Sequence, residues 1–197
     1  MALAEVLDLL HYSQSRYYLK TGQKHEPEIA ALFRTAYNAG VDGIYVFRSS
    51  SEKDSSFAVK PAVYVAEAPT PEEARKIHQK LWNLGKAPFL IVVLPNEIRV
   101  YTGFDYSQDD DDAGIVEPPI ALDQGNILDR LGDFCAEAIN DGQLWKRRSQ
   151  YLRPERRIDK RLLNNLKALG KFLRERMASC TCRPCLDWQI CVHTLFA

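Results

Sequence analysis

Asp42 and Glu67 are the residues of this sequence whose type and placement best fit chemistry. Asp42 precedes Gly43-Ile44-Tyr45-Val46-Phe47, and Glu67 follows Pro61-Ala62-Val63-Tyr64-Val65-Ala66. A carboxylate at the end of a half-buried strand is costly unless it is solvated, paired or metal-bound. On adjacent strands, two such groups supply the oxygen donors that Mg²⁺ takes while keeping several waters. An ion held there can activate water and stabilise a phosphoryl transition state. Two solvent-facing strand ends would account for the same residues without chemistry, and spacing alone favours that reading.

A second donor set lies at the C-terminus. Cys180, Cys182 and Cys185 have C-x-C-x₂-C spacing, and Cys191 and His193 could complete a tetrahedral zinc site. The spacing lacks the paired C-x₂-C knuckles of a strong zinc pattern. The genetic code offers a rival explanation. Codons permitted for residues 183–197, read one base later, can encode an apolar helical string. On that reading the gene is frameshifted or truncated near residues 177–179, and the tail 178–197 is out of frame.

The elements that must position Asp42 and Glu67 can be read in order. Leu3, Val6, Leu7, Leu10, Tyr17 and Tyr18 give the N-terminal segment a helical apolar face. Pro27, then Ile29, Leu32, Phe33, Ala36 and Tyr37, then Gly40, predict a second helix with a start, a stripe and a stop. Strands are expected at 41–47, 61–67, 88–94 and 97–101, the last two joined tightly through Pro95-Asn96. Thr70 as cap, Glu72 and Glu73 in the first turn and Gly85 past the end predict a helix over 71–84. Residues 107–119, with aspartates at 109–112, read as a solvated loop. Further helices are expected at 127–139 and 161–177, with a basic connector at 144–157. The sum is a small α/β protein with helices outside a mixed sheet.

Composition bounds the rest. The 197 residues suit one domain or one domain plus an appendage. No apolar run approaches a membrane span, and the N-terminus carries Glu5 and Asp8 where a secretory signal would be basic, so a cytoplasmic protein with no membrane partner is expected. The formal net charge of zero hides a division. Residues 1–144 hold 13 basic against 22 acidic residues, a net of −9, whereas 145–176 hold 12 against 3, a net of +9. A basic segment beside an acidic body suits either a solvated helical face or a phosphate-tracking surface.

The string Asp42-Gly-Ile-Tyr-Val-Phe, then Lys60-Pro-Ala-Val-Tyr-Val-Ala-Glu67-Ala, a helix, and Ala87-Pro-Phe-Leu-Ile-Val-Val-Leu-Pro-Asn-Glu-Ile-Arg-Val-Tyr resembles the PD-(D/E)xK nuclease fold. It is most similar to the N-terminal nuclease-like domain of restriction-modification proteins, both type I restriction subunits and fused N6-adenine DNA methylases. The stretch from Lys80 to Phe104 carries most of the likeness, which extends over most of residues 1–177. The resemblance implies a restriction-endonuclease-like mixed sheet with a C-terminal helical extension, Mg²⁺ as cofactor, and DNA with a methylase or specificity module as partners. Residues 1–144 would be the nuclease-like domain, 145–177 a basic connector and helix, and 178–197 the atypical tail.

It also assigns roles. Asp42 and Glu67 match the metal-binding carboxylates, and Glu28 could be the helical carboxylate that some members add. The lysine expected two residues after the Glu is absent, because that position is Pro69. Lys60, seven residues earlier on the strand, is about 23 Å away and faces the other side. Lys76 or Lys80 on the next helix are the candidates for a migrated lysine. Arg147, Arg148, Arg153, Arg156, Arg157, Lys160 and Arg161 would contact phosphates. Trp82 and Trp145 could stack on bases, and His78 is a packing or surface residue rather than a base. The chain carries no methyltransferase motif. A catalytically degenerate, DNA-interacting domain is therefore expected, with an active Mg²⁺-dependent endonuclease and a zinc-binding tail module as alternatives.

Overall fold

The computed structural model describes residues 3–25, 34, 36, 38–49, 58–85, 87–122, 125–152 and 158–178. The chain divides into two compact units, 1–154 and 155–197. The first is built on a six-stranded sheet: β1 (Tyr18–Lys20), β2 (Gly43–Ser49), β3 (Ala58–Glu67), β4 (Phe89–Val93), β5 (Glu97–Thr102) and β6 (Ile115–Ala121). The strands lie side by side in chain order. Every neighbouring pair is antiparallel except β3 and β4, which run parallel.

A parallel pair needs a crossover rather than a turn, and a helix, Pro71–Leu84, makes it. The first unit holds α1 (Leu3–Leu9), this crossover helix as α2, α3 (Ile127–Leu131), α4 (Ala136–Asn140) and α5 (Gln143–Arg147). The limits of α2 are those the sequence predicts. The Thr70 side chain accepts from the Glu73 amide at 3.3 Å. Pro71 opens the helix, and Gly85 closes it at φ 61° with its N–H donated to Leu81 and Trp82.

Both faces of the sheet are covered. Ala74, Ile77 and Leu81 of α2 pack on Ile44, Val46, Tyr64, Ala66, Leu90 and Val92. Val6, Leu10, Tyr12, Ile127, Leu131, Phe134, Ile139 and Leu144 pack on the alternate set Tyr45, Val63, Val65, Phe89, Ile91 and Val93. Burial on two sides explains why all five β4 residues are apolar and buried. This is the α/β mixed sheet that the sequence predicts.

Four elements differ from expectation. The first helix stops at Leu9, and residues 18–20 are a strand paired through Tyr18 with Tyr45 and Lys20 with Gly43. Ser13 and Ser15 lie between. The Ser13 hydroxyl bonds Asp8, and Ser15 Oγ accepts the Tyr17 amide at 3.3 Å, so side chains compete for the groups a continued helix would use. Residues 115–121 form an edge strand although Pro118 and Pro119 lie within it, because an edge leaves one row of amides unpaired in any case. The 127–139 helix is broken by a 3₁₀ turn at Gly132–Phe134 that buries Phe134. The basic connector begins as α5, with Leu144 buried in the body. Of the second expected helix, residues 34, 36, 38 and 39 are described and are helical.

The second unit contains α6, Ile158–Ala178, close to the predicted 161–177. Its Leu162, Leu166, Leu169 and Leu173 are exposed by 38–58%. Among the described residues no helix is long and apolar enough to cross a membrane.

Of the two placements expected for His78, surface or packing, the structure shows packing. His78 is 1% exposed, donates from Nε2 to the Thr102 carbonyl at 2.8 Å, and stacks on Tyr101 at 4.5 Å. Burial pushes its pKa down from 6.5 to about 4. The unfolded chain therefore takes up this proton from about pH 6.5 and the folded chain does so only near pH 4. Stability attributable to this site is present above that window and is lost as pH falls through it. His78→Gln, which keeps a donor but cannot titrate, is expected to flatten urea-unfolding free energy against pH by about 3 kcal/mol between pH 7 and 4. Parallel profiles for the two proteins would refute the assignment.

Candidate functional site

Asp42 immediately precedes β2 and is anchored on both sides. Its amide donates to Val65 of β3 at 2.9 Å, and its carbonyl accepts the Thr21 amide, just beyond β1, at 2.8 Å. Because β2 and β3 are antiparallel, the start of one meets the end of the other, with Gly43 opposite Val65. The half-buried Asp42 carboxylate crosses that junction, and its Oδ2 accepts the Glu67 amide at 2.8 Å. Glu67 is tied on its other side to β4, paired with Val93, and the next amide, of Ala68, donates to Val93 at 3.0 Å. The two candidate carboxyl-bearing residues are thus neighbours at one end of adjacent strands.

Their side chains differ in setting. Val63 and Val65 face the α1 side of the sheet and Tyr64 and Ala66 the α2 side. Glu67 continues the first series, and its side chain is exposed. Tyr18 joins the site unannounced by the sequence, where it reads as part of a helical face. Its hydroxyl lies over Gly43, so close that a Cβ there would collide with it. Burial first, and the Asp42 charge second, push the Tyr18 pKa up to about 12. The glycine directly after Asp42 was the available signal, since the bare backbone makes room for the ring.

Neither candidate lysine joins this pair. Lys76 Nζ lies 2.6 Å from Glu73 Oε1, one turn away on α2. Lys80 is exposed on α2, about 14 Å along the helix axis from its start beside the strand ends. Among the described residues no ion pair links either lysine to Asp42 or Glu67. Pro69 is exposed in the bend between β3 and α2, beyond the last strand residue. Glu28 lies outside the described residues.

Asp42 and Glu67 offer hard oxygen donors of the kind Mg²⁺ accepts. No cluster of three or more His, Cys, Asp or Glu suited to a metal occurs among the described residues. No protein-family model, curated protein or solved structure matches the chain.

The predicted phosphate contacts fall into three groups. Arg148 is 16% exposed and bridges two acids, from Nε to Asp133 at 2.7 Å and from Nη1 to Glu117. Arg147 is 61% exposed and donates to the other Asp133 oxygen at 2.8 Å. Burial raises the Asp133 pKa, but the hydrogen bonds from Arg147 and Arg148 outweigh it and hold the carboxyl below its usual range. Lys160 and Arg161 belong to α6, whereas Arg153, Arg156 and Arg157 lie outside the described residues, as do the tail cysteines and His193. The two tryptophans sit among aromatic rings of the body. Trp82 lies 5.5 Å from Tyr106, and Trp145 lies 6.1 Å from Phe47 and 6.5 Å from Phe89.

If the Asp42 carboxylate ties β2 to β3, removing it leaves the Glu67 amide without its acceptor. Asp42→Ala is expected to lower the unfolding free energy by about 1–3 kcal/mol, and Asp42→Asn, which retains a neutral oxygen, by about half as much. Urea denaturation reads the difference. Equal stability of wild type and both variants would show that the bond contributes nothing.

Proposed function

We propose that this chain is a DNA-interacting, nuclease-like domain of a restriction-modification protein, catalytically degenerate for want of the Glu-x-Lys lysine. The observation that carries the reading is the meeting of Asp42 and Glu67 at adjacent strand ends, joined by a 2.8 Å bond, with Pro69 past the strand where the resemblance requires a lysine. The parallel β3–α2–β4 unit beside that junction supports a restriction-endonuclease-like sheet. Asp42 and Glu67 would hold a Mg²⁺, which when bound would supply an activated water and charge stabilisation. Two carboxylates alone would hold such an ion weakly, with water completing its coordination.

DNA contact would fall to the basic segment at 145–176. Arg147 and Arg148 serve acids of the body, so the contact would rest on the other basic residues of the segment. A methylase or specificity module would be the protein partner, supplying the chemistry for which this chain has no motif.

Two measurements on the full chain test the proposal. Incubation of supercoiled plasmid with Mg²⁺ or Mn²⁺ is expected to give no nicking above background. Mobility shift at several salt concentrations is expected to show binding that weakens with salt. Arg156→Ala with Arg157→Ala should reduce the slope of log affinity against log salt by about 2. Cleavage that disappears in Asp42→Ala and Glu67→Ala would replace degeneracy with activity. An affinity indifferent to salt and to both arginines would remove DNA as the partner.

A further inference from the structure

A second feature lies apart from the Asp42–Glu67 junction. A cleft of about 550 Å³ opens between α2, the loop 105–112 and strands β5 and β6. That volume is in the range of small-ligand sites, roughly 300–1,000 Å³. Its walls bring together three cations, Arg75, Lys76 and Arg99, against Glu72, Asp111 and Asp112, with Tyr106 among the aromatic and apolar lining.

The cations are not held alike. Lys76 is paired with Glu73, three residues away, and Arg99 with Glu97, two residues away, so their counterions belong to their own elements. Arg75 takes its counterion from a distant loop. Its side chain is 18% exposed, and the guanidinium carbon lies 5.8 Å from the centre of the Tyr106 ring. It donates from Nη2 to the Ser107 carbonyl at 3.0 Å and from Nη1 to the Asp111 carboxylate. The Asp111 side chain is 92% exposed, and an ion pair so open to water is weak. One arginine therefore pins the acidic loop, through a carboxylate that solvent can replace.

A phosphate presents more charge than a carboxylate and three strong acceptor oxygens, and a guanidinium can take it through two parallel bonds. We propose that this cleft binds the phosphate of a small phosphorylated ligand, and that Asp111 is a built-in competitor occupying the anion's place on Arg75. The four consecutive aspartates at 109–112 then have a use beyond solvation. Asp111 and Asp112 line the cleft, so a long polyanion, whose further phosphates would meet the run, is disfavoured against a small phosphorylated ligand that displaces Asp111. Neither Asp42 nor Glu67 lines the cleft, so the assignment stands independently of any nuclease-like function.

Calorimetric titration of the full chain with inorganic pyrophosphate at low ionic strength tests it. Asp111→Asn is expected to tighten binding about fivefold by removing the competing charge. Arg75→Gln and Arg99→Gln are each expected to weaken it by about tenfold or more. Arg99 lies on a strand away from the loop, so its variant covers the case in which Arg75→Gln loosens the loop. AMP and a 5′-phosphorylated oligothymidylate separate the two sources of phosphate, and AMP is expected to bind while the oligonucleotide does not. Three outcomes would each overturn the proposal: no pyrophosphate binding even by Asp111→Asn, unchanged affinity in both arginine variants, or Arg75-dependent binding of the oligonucleotide alone.

Discussion

Parallel strands cannot be joined by a tight turn, and the pairing of β3 with β4 therefore shapes the rest of the first unit. The chain leaving Glu67 must cross over the sheet, and α2 does so with Ala74, Ile77 and Leu81 pressed against it. That crossover fixes which residues can share a site. Residues of α2 serve one face, while strand alternation sends Glu67 to the other. The Asp42 carboxylate reaches the Glu67 amide because β2 is antiparallel to β3, and the antiparallel neighbours on either side let every other strand follow in chain order. Sealing both faces leaves the strand ends and the edge beside β5 and β6 as the places where polar groups gather.

Legibility in the sequence followed how local the determining physics was. The crossover helix is delimited by a cap, a first-turn proline and a closing glycine, all within or beside its own residues, and was readable to the residue. The strands 89–93 and 97–102 announced themselves by apolar runs around Pro95-Asn96. By contrast, β1 exists because Tyr18 and Leu19 find partners on β2, well beyond any local window, and nothing in residues 18–20 themselves distinguishes a strand from a helical stripe. The break at Gly132–Phe134 likewise depends on Phe134 meeting Phe89 edge-on at 5.3 Å. Asp42 and Glu67 stood out as candidates because charge at the end of an apolar run is conspicuous. Tyr18 was missed because its role needs the β1–β2 register, and the Arg75 cleft because its parts are scattered along the chain from Pro71 to Pro119.

Charge counted along the chain and charge available in the fold are different quantities. The division at residue 145 falls inside α5, and the first arginines beyond it neutralise Asp133 and Glu117 of the acidic body. Removing Arg148 would take one of two arginine partners from each of the half-buried Asp133 and Glu117, so any loss of DNA binding in such a variant would report folding as much as contact. The acidic body is in turn less negative than its count suggests, since Asp133 and Glu117 are paired with Arg147 and Arg148 from beyond residue 144.

α6 carries further cations of its own, of which Lys171 lies 3.9 Å from Glu175 on the same helix. At 100° per residue, Leu162, Leu166, Leu169 and Leu173 fall within a narrow stripe, at spacings of four, three and four. Lys167, Lys171 and Arg174 fall on the opposite side of the helix, and all three are exposed. A phosphate backbone laid along the cationic side would leave the leucines in water, and an apolar partner on the leucine side would leave the cations accessible. The two properties of this helix are thus physically separable, and electrostatic contact with DNA does not by itself explain why its other face is leucine-rich.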